Sequence, residues 1–291
     1  MYTIQGYEKV QSLEEAYELN QKKNSAIIGG GMWLRLGSRA IGNAIDLSNL
    51  ELNRIEETED EFVIGCMTSL RDIECHEGLN QYFHGMMKEA LKGIVGTQFR
   101  NTATIGGSLY QRFGFSDPLT AFLALDTTVE MYAGGMIPLD EFVSMNYDRD
   151  ILVRIHVKKN GRQAAYQSFR NTKTDFPVLA VGVSRLNKQW KITIGARPAR
   201  AVVAENSEKL SEKLAESLPE SLTESMAEKP AGGPAGDAAE GVIREFAAEV
   251  SEKVRFGSNM RASGEYRRML SEVLIYRAVK DILSQSEKKE M

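Results

Sequence analysis

Residues 100–119 read RNTATIGGSLYQRFGFSDPL. An apolar, β-branched run enters two adjacent glycines, Gly106 and Gly107, and ten residues after them Asp117 stands directly before Pro118. A second run of the same kind lies upstream, where Ile27-Ile28 leads into Gly29-Gly30-Gly31. Glycine has no Cβ, so its N–H can approach a ligand closely and its backbone can take positive φ, turning successive N–H groups toward one point. Two such turns brought together would make a nest for a diphosphate without Lys or Arg. Taken singly, each also reads as a tight exit from a strand. Asp117 has two compatible readings as well. Asp before Pro suits the N-cap of a helix, and a second carboxylate oxygen can accept from a ligand hydroxyl.

Working outward, Ser12-Leu-Glu-Glu15 is a capping-box pattern that predicts a first helix through Ala16, Tyr17 and Leu19. Strands are expected at 25–28, 44–47, 62–65 and 127–133, with the Ala103-Thr104-Ile105 run read as another. Ser69 should cap a short helix, residues 83–94 read as helical, and Asp117-Pro118 should open another helix, LTAFLAL. This is a mixed pattern with short strands and no regular βαβ repetition. Residues 151–157 (ILVRIHV) form a strong strand candidate, and the turn-like 158–162 after it is the natural domain boundary. Beyond it come AAYQSF, PVLAVGVSRL and QWKITIGA, three further strand-like runs. The segment at about 205–240 turns rich in Glu, Ser, Ala, Lys, Gly and Pro; its first part can form a helix, whereas 230–241 (PAGGPAGDAAEG) is expected to be a flexible excursion. In the final helix, 265–283, Leu270, Val273, Leu274, Ala278 and Ile282 mark an apolar stripe.

Composition removes several function classes. At 291 residues the chain suits two or three domains. A net charge of −4 offers no reason to expect nucleic acid or an anionic membrane as partner. Cys66 and Cys75 are the two cysteines, too few for a cluster and without CxxC spacing. The N-terminus lacks the apolar core of a signal peptide, and no run approaches 18 apolar residues, so a cytoplasmic protein without a membrane partner is expected. His76, His84 and His156 lack paired ligand spacing and read as surface or turn residues. GxSxG and GxxxxGK[ST] are absent. Reading GxGxxG from Gly29 puts Leu34 where the third glycine belongs, and Gly37 and Gly42 break the helix that should follow, so a Rossmann domain fits poorly.

The run RNTATIGGSLYQRFGFSDPLTAFLALDTTVEM resembles the FAD-binding subunits of the molybdenum hydroxylases, the xanthine dehydrogenase and carbon monoxide dehydrogenase group. The family pattern is strand–IGG–N–L, then Asp, then a helix carrying LxALDAxVEL. The likeness extends to IIGGGMWLRL, where the family has AGGTDLL, to ILVRIHV, and to FGSNMRASGEYRRMLSEVLIYRA near the C-terminus. It covers nearly all the chain outside about 205–240.

That resemblance implies an α+β fold. A two-lobed PCMH-type, vanillyl-alcohol-oxidase-like FAD-binding domain would span 1–160. A smaller α/β C-terminal domain, with a short antiparallel sheet and helices, would span 161–286 and carry the 205–240 insertion. By position, the backbone around Ile28, Gly29, Gly30, Gly31, Met32 and Trp33 and around Thr104, Gly106 and Gly107 would cradle the pyrophosphate, with Ser108 nearby. Asp117 would take a ribityl or ribose hydroxyl, while Leu152 and Gln167 would lie at the isoalloxazine. Three departures stand out: Gly31-Met32 for Thr-Asp, Ser108 for Asn, and Gln167 where relatives often carry Lys. The family function is electron relay, from molybdopterin on a large partner subunit through [2Fe–2S] clusters on a small one to FAD, and on to NAD⁺ or another acceptor. Two other readings share the fold: a self-contained FAD oxidoreductase, and a non-catalytic assembly subunit that has lost FAD.

Overall fold

The computed structural model describes residues 3–38, 40–217 and 234–287. Strands β1 (Thr3–Lys9), β2 (Ser25–Ile28) and β3 (Ala40–Asp46) form a small parallel sheet in the order β1-β3-β2. The helix Leu13–Gln21 makes the crossover between β1 and β2. Its start is the predicted cap: the Ser12 hydroxyl accepts from the Glu15 N–H at 3.1 Å, and the Glu15 carboxylate accepts from the Gln11 N–H at 2.7 Å.

Five antiparallel strands make the second sheet, in the order β4-β5-β8-β6-β7: β4 (Ile55–Glu57), β5 (Glu61–Gly65), β6 (Thr127–Met131), β7 (Gly135–Pro138) and β8 (Leu152–Lys158). Ile155 and Val157 of β8 point into the core, whereas Arg154 and His156 face outward. There His156 Nδ1 lies 3.1 Å from Glu61, so this histidine joins a solvated carboxylate row. The third sheet is an antiparallel meander, β12-β11-β10-β9: β9 (Gln163–Phe169), β10 (Leu179–Leu186), β11 (Gln189–Gly195) and β12 (Val202–Ser207). Asn187, at φ 54°, supplies the left-handed residue of the two-residue turn between β10 and β11.

The Asp117–Ala124 helix packs on β10 and β11 of the third sheet, and all eight of its residues are buried. Glycines let it seat: a Cβ on Gly195 would stand 2.0 Å from Thr120 Oγ1, and one on Gly182 3.0 Å from Ala124 Cβ. One buried apolar cluster joins the first two sheets to this helix, and a second lies between the meander and the helices Lys209–Ser217, Pro234–Glu252 and Gly264–Glu287.

Several sequence expectations are corrected. Ala103-Thr104-Ile105 is no strand: Thr104 makes an isolated bridge to Ser69, and Ile105–Tyr110 is a short helix that contains both glycines. The helix expected over 83–94 spans Met86–Lys92, because His84 (φ 52°) and Gly85 (φ 79°) hold left-handed backbone just before it. Within the expected flexible stretch 230–241, residues from Pro234 onward are helical, since Ala239, Ile243, Phe246 and Val250 bury a face; 230–233 fall outside the described residues. On the Gly264–Glu287 helix, Leu274, Ala278 and Ile282 are buried but Val273 turns outward, 43% exposed.

Candidate functional site

The two glycine segments meet. A Cβ on Gly29 would lie 2.2 Å from Thr104 Oγ1, and one on Gly30 would lie 1.6 Å from the Thr102 carbonyl oxygen. A Cβ on Gly106 would fall 2.7 Å from the Cys66 carbonyl oxygen. Close approach of three backbone segments, more than turn geometry, is therefore why glycine stands at 29, 30 and 106. Of the five glycines, only Gly31 adopts positive φ, at 68°. Gly107 differs from the others: Thr104 Oγ1, at 3.4 Å, is all that its Cβ would meet.

The open side of Gly107 is a cleft of about 370 Å³, also lined by Gly29, Thr104, Gly106, Cys66, Leu152 and the segment 147–151. Thr104 caps the short helix behind it, its Oγ1 accepting from the Gly107 N–H over a long 3.4 Å. The Ile105 and Gly106 N–H groups are already spent on the Thr68 and Cys66 carbonyls, at 2.9 and 2.8 Å. Burial pushes the Cys66 thiol up to about 12, so it is a neutral, inert wall. Leu152, 5% exposed, adds apolar surface from the start of β8.

Other predicted positions lie outside that cleft. Ser108 is buried, accepts from the Trp33 indole N–H at 3.2 Å and donates to the Thr104 carbonyl at 2.9 Å. It thus holds Trp33, whose ring packs against Phe99, Phe113, Phe115 and Phe176. Trp33 and Asp117 line a second cavity of about 70 Å³ together with Phe115, Phe176 and Arg170. The Gly29–Trp33 segment therefore borders both spaces. Ile28, Gly30, Gly31 and Met32 shape its backbone without lining either. Gln167 on β9 lines neither: its amide donates to Asp281 at 2.6 Å.

Asp117 is not the N-cap. Ser116 is, its hydroxyl accepting from the Leu119 N–H at 3.2 Å and donating to the Ser108 carbonyl at 3.0 Å. Asp117 instead occupies the first helical turn, where a carboxylate complements the helix dipole. It is 4% exposed and its Oδ1 accepts from the Tyr166 hydroxyl and the Arg170 guanidinium, each at 2.5 Å. Sequence reading missed both partners, which come from β9 and the residue after it. The available signal was weak: Tyr166 stands in an apolar run at an inward position, and Arg170 directly follows the strand.

A sequence profile described as the FAD binding domain in molybdopterin dehydrogenase matches residues 2–157. The 6-hydroxypseudooxynicotine dehydrogenase complex subunit alpha of Paenarthrobacter nicotinovorans is 28% identical over 174 residues, covering 53% of this chain and 58% of that protein. The chain thus matches little more than half of that relative's length. The glyceraldehyde dehydrogenase medium chain of Sulfolobus acidocaldarius is 23% identical over 302 residues, covering 95% and 97%. Among solved structures, quinoline 2-oxidoreductase from Pseudomonas putida 86 superposes with a TM-score of 0.77 at 17% identity, covering 97% of this chain and 98% of that one. At that identity the likeness is one of fold.

Proposed function

Because the chain belongs to the family of the FAD binding domain in molybdopterin dehydrogenase, we propose that it is the FAD-carrying electron-transfer subunit of a molybdenum hydroxylase of the xanthine dehydrogenase kind. The observation that carries the reading is the junction of Gly29 and Gly30 with Thr102 and Thr104, opening through Gly107 onto the 370 Å³ cleft. The residues present fit FAD. Gly107 leaves the room that a Cβ would fill, and its N–H has only the 3.4 Å bond to Thr104 to surrender to a phosphate oxygen. Gly29 and Thr104 would flank the diphosphate, Leu152 would give a ring an apolar wall, and Asp117 would accept from a hydroxyl. On this reading the two parts clasping the cleft, one around the β1–β3 sheet and one around the five-stranded sheet, are the lobes of a PCMH-type domain spanning 1–160, with the 161–286 domain behind them.

Bound FAD supplies a ring able to exchange electrons singly or in pairs. The chain's own part is to orient that ring and keep reactive groups from it, which the apolar Leu152 wall and the neutral Cys66 thiol of the same cleft serve. Two cysteines cannot carry an iron–sulfur cluster, so the [2Fe–2S] clusters and molybdopterin are assigned to a small and a large partner subunit in a heterotrimer. Relatives named as a medium chain and as a complex subunit support that division. NAD⁺ is the proposed acceptor, purines the proposed substrate class of the partner, and the cytoplasm the proposed compartment. The test is the purified chain titrated with FAD, and its co-purification from the native source with the molybdenum and iron–sulfur subunits. A colourless protein that FAD cannot reconstitute refutes the reading.

A further inference from the structure

The family match ends at residue 157, yet the two groups that grip Asp117 lie beyond it, on β9 and just after. Arg170 is anchored from three sides. Its guanidinium donates to Asp117 Oδ1 at 2.5 Å and to the Asp175 carbonyl at 2.6 Å, and it lies over Gly93, where a Cβ would stand 3.0 Å from Nε. Tyr166 is 5% exposed, and its hydroxyl donates to the same carboxylate oxygen. Behind Arg170, the Asp175 carboxylate takes Arg261 at 3.1 Å. Apart from Asp117, Arg170 and Asp175, the side chains around the small cavity, Trp33, Phe115 and Phe176 among them, are uncharged.

We propose that Arg170 and Tyr166 are positioning residues that hold Asp117 ionised and oriented to accept from a hydroxyl of FAD, so that the cofactor site is completed by the C-terminal part of the chain. The proposal rests on the FAD reading above. A carboxyl stripped of water favours its neutral form, and a neutral carboxyl that donates its own proton is a poor acceptor. Burial pushes the Asp117 carboxyl up, while the Arg170 charge and the Arg170 and Tyr166 hydrogen bonds pull it back. Removing Arg170 leaves burial unopposed. The ionised fraction at a given pH then falls, and it recovers as pH rises through the higher value. Loss of FAD affinity should therefore be greatest at low pH and shrink at high pH.

The experiment is FAD titration of the full chain by flavin fluorescence between pH 6 and 9, for wild type, Arg170→Met, Arg170→Lys and Tyr166→Phe. Arg170→Met should bind more weakly than wild type at pH 6, with the difference shrinking toward pH 9, and its half-loss pH should lie above that of wild type. Arg170→Lys keeps the charge and should lose less affinity than Arg170→Met, with a smaller move of the half-loss pH, while Tyr166→Phe loses one hydrogen bond, about three- to tenfold. Wild-type affinity and profile in Arg170→Met overturn the proposal and leave the FAD reading standing. An equal loss at every pH that Lys does not rescue also overturns it, because that is mere structural damage. If Arg170→Met does not fold, the half-loss pH of Tyr166→Phe decides: an upward move supports the proposal and no move overturns it. A wild-type chain that takes no FAD at all overturns both readings together.

Discussion

Replacing Gly107 with alanine should stabilise the protein and weaken its hold on FAD, two effects of opposite sign from one methyl group. Gly107 has helical backbone within Ile105–Tyr110, and its Cβ would make one ordinary contact, 3.4 Å from Thr104 Oγ1. Nothing in the polypeptide must move. Alanine in a helix is favoured over glycine by about 0.5–1 kcal/mol, chiefly because the unfolded chain loses freedom, which is about 2 °C in a domain of this size. That methyl would project into the cleft at the point where a phosphate oxygen must reach the Gly107 N–H. Losing one charge-assisted hydrogen bond is worth roughly 1.5–3 kcal/mol, about ten- to a hundredfold in Kd. Thermal unfolding without cofactor and FAD titration at constant salt measure the two effects separately. A variant that binds FAD as wild type does would refute the placement of the diphosphate. A melting temperature lowered by several degrees would refute the reading of Gly107 as unpacked.

Two further positions and the cysteines test the packing described above. Gly30→Ala places a methyl 1.6 Å from the Thr102 carbonyl oxygen and forces the two glycine segments apart; thermal unfolding should show a loss of about 1–3 kcal/mol, and an unchanged melting temperature would contradict the packing. Asp117→Ala leaves the buried Arg170 and Tyr166 without their acceptor and should cost about 3 kcal/mol in denaturant unfolding; the double variant Asp117→Ala/Arg170→Met should recover part of that stability but no FAD affinity. Cys75 is exposed and Cys66 is buried, its thiol pushed up to about 12, so a thiol reagent at pH 8 should modify one cysteine quickly and the second only after denaturation. Two fast thiols would place Cys66 outside the interior.

Much of this architecture can be read along the chain because its causes are local. Ser12 and Ser69 cap their helices by contacts three residues away, and the alternation in residues 151–157 marks β8. The glycine pairs are legible as exceptions, though their reason is not. Gly29 and Gly106 look alike in sequence, as glycines following isoleucine. Their backbones are required by Thr104 and by Cys66, and no local rule names those partners. Ala103-Thr104-Ile105 misled for the same cause: three residues with strand propensity are overridden once Thr104 caps a helix and Ala103 is drawn to Leu70.

Asp117 shows the division most clearly. Asp-Pro announced a helix start, and a helix does start there, but a one-residue offset hands the cap to Ser116 and frees the carboxylate. Where that carboxylate then points is decided by Tyr166 and Arg170, 49 and 53 residues away in the chain. Periodicity and capping, with ranges of three or four residues, are properties a sequence carries on its face, and they marked the first helix, the Ser69-capped helix and the strand of residues 151–157. The convergence of the glycine segments, the two cavities and the surroundings of Asp117 are long-range contacts. Only the packed tertiary structure chooses them, because a buried charge must find its partner wherever the fold can supply one.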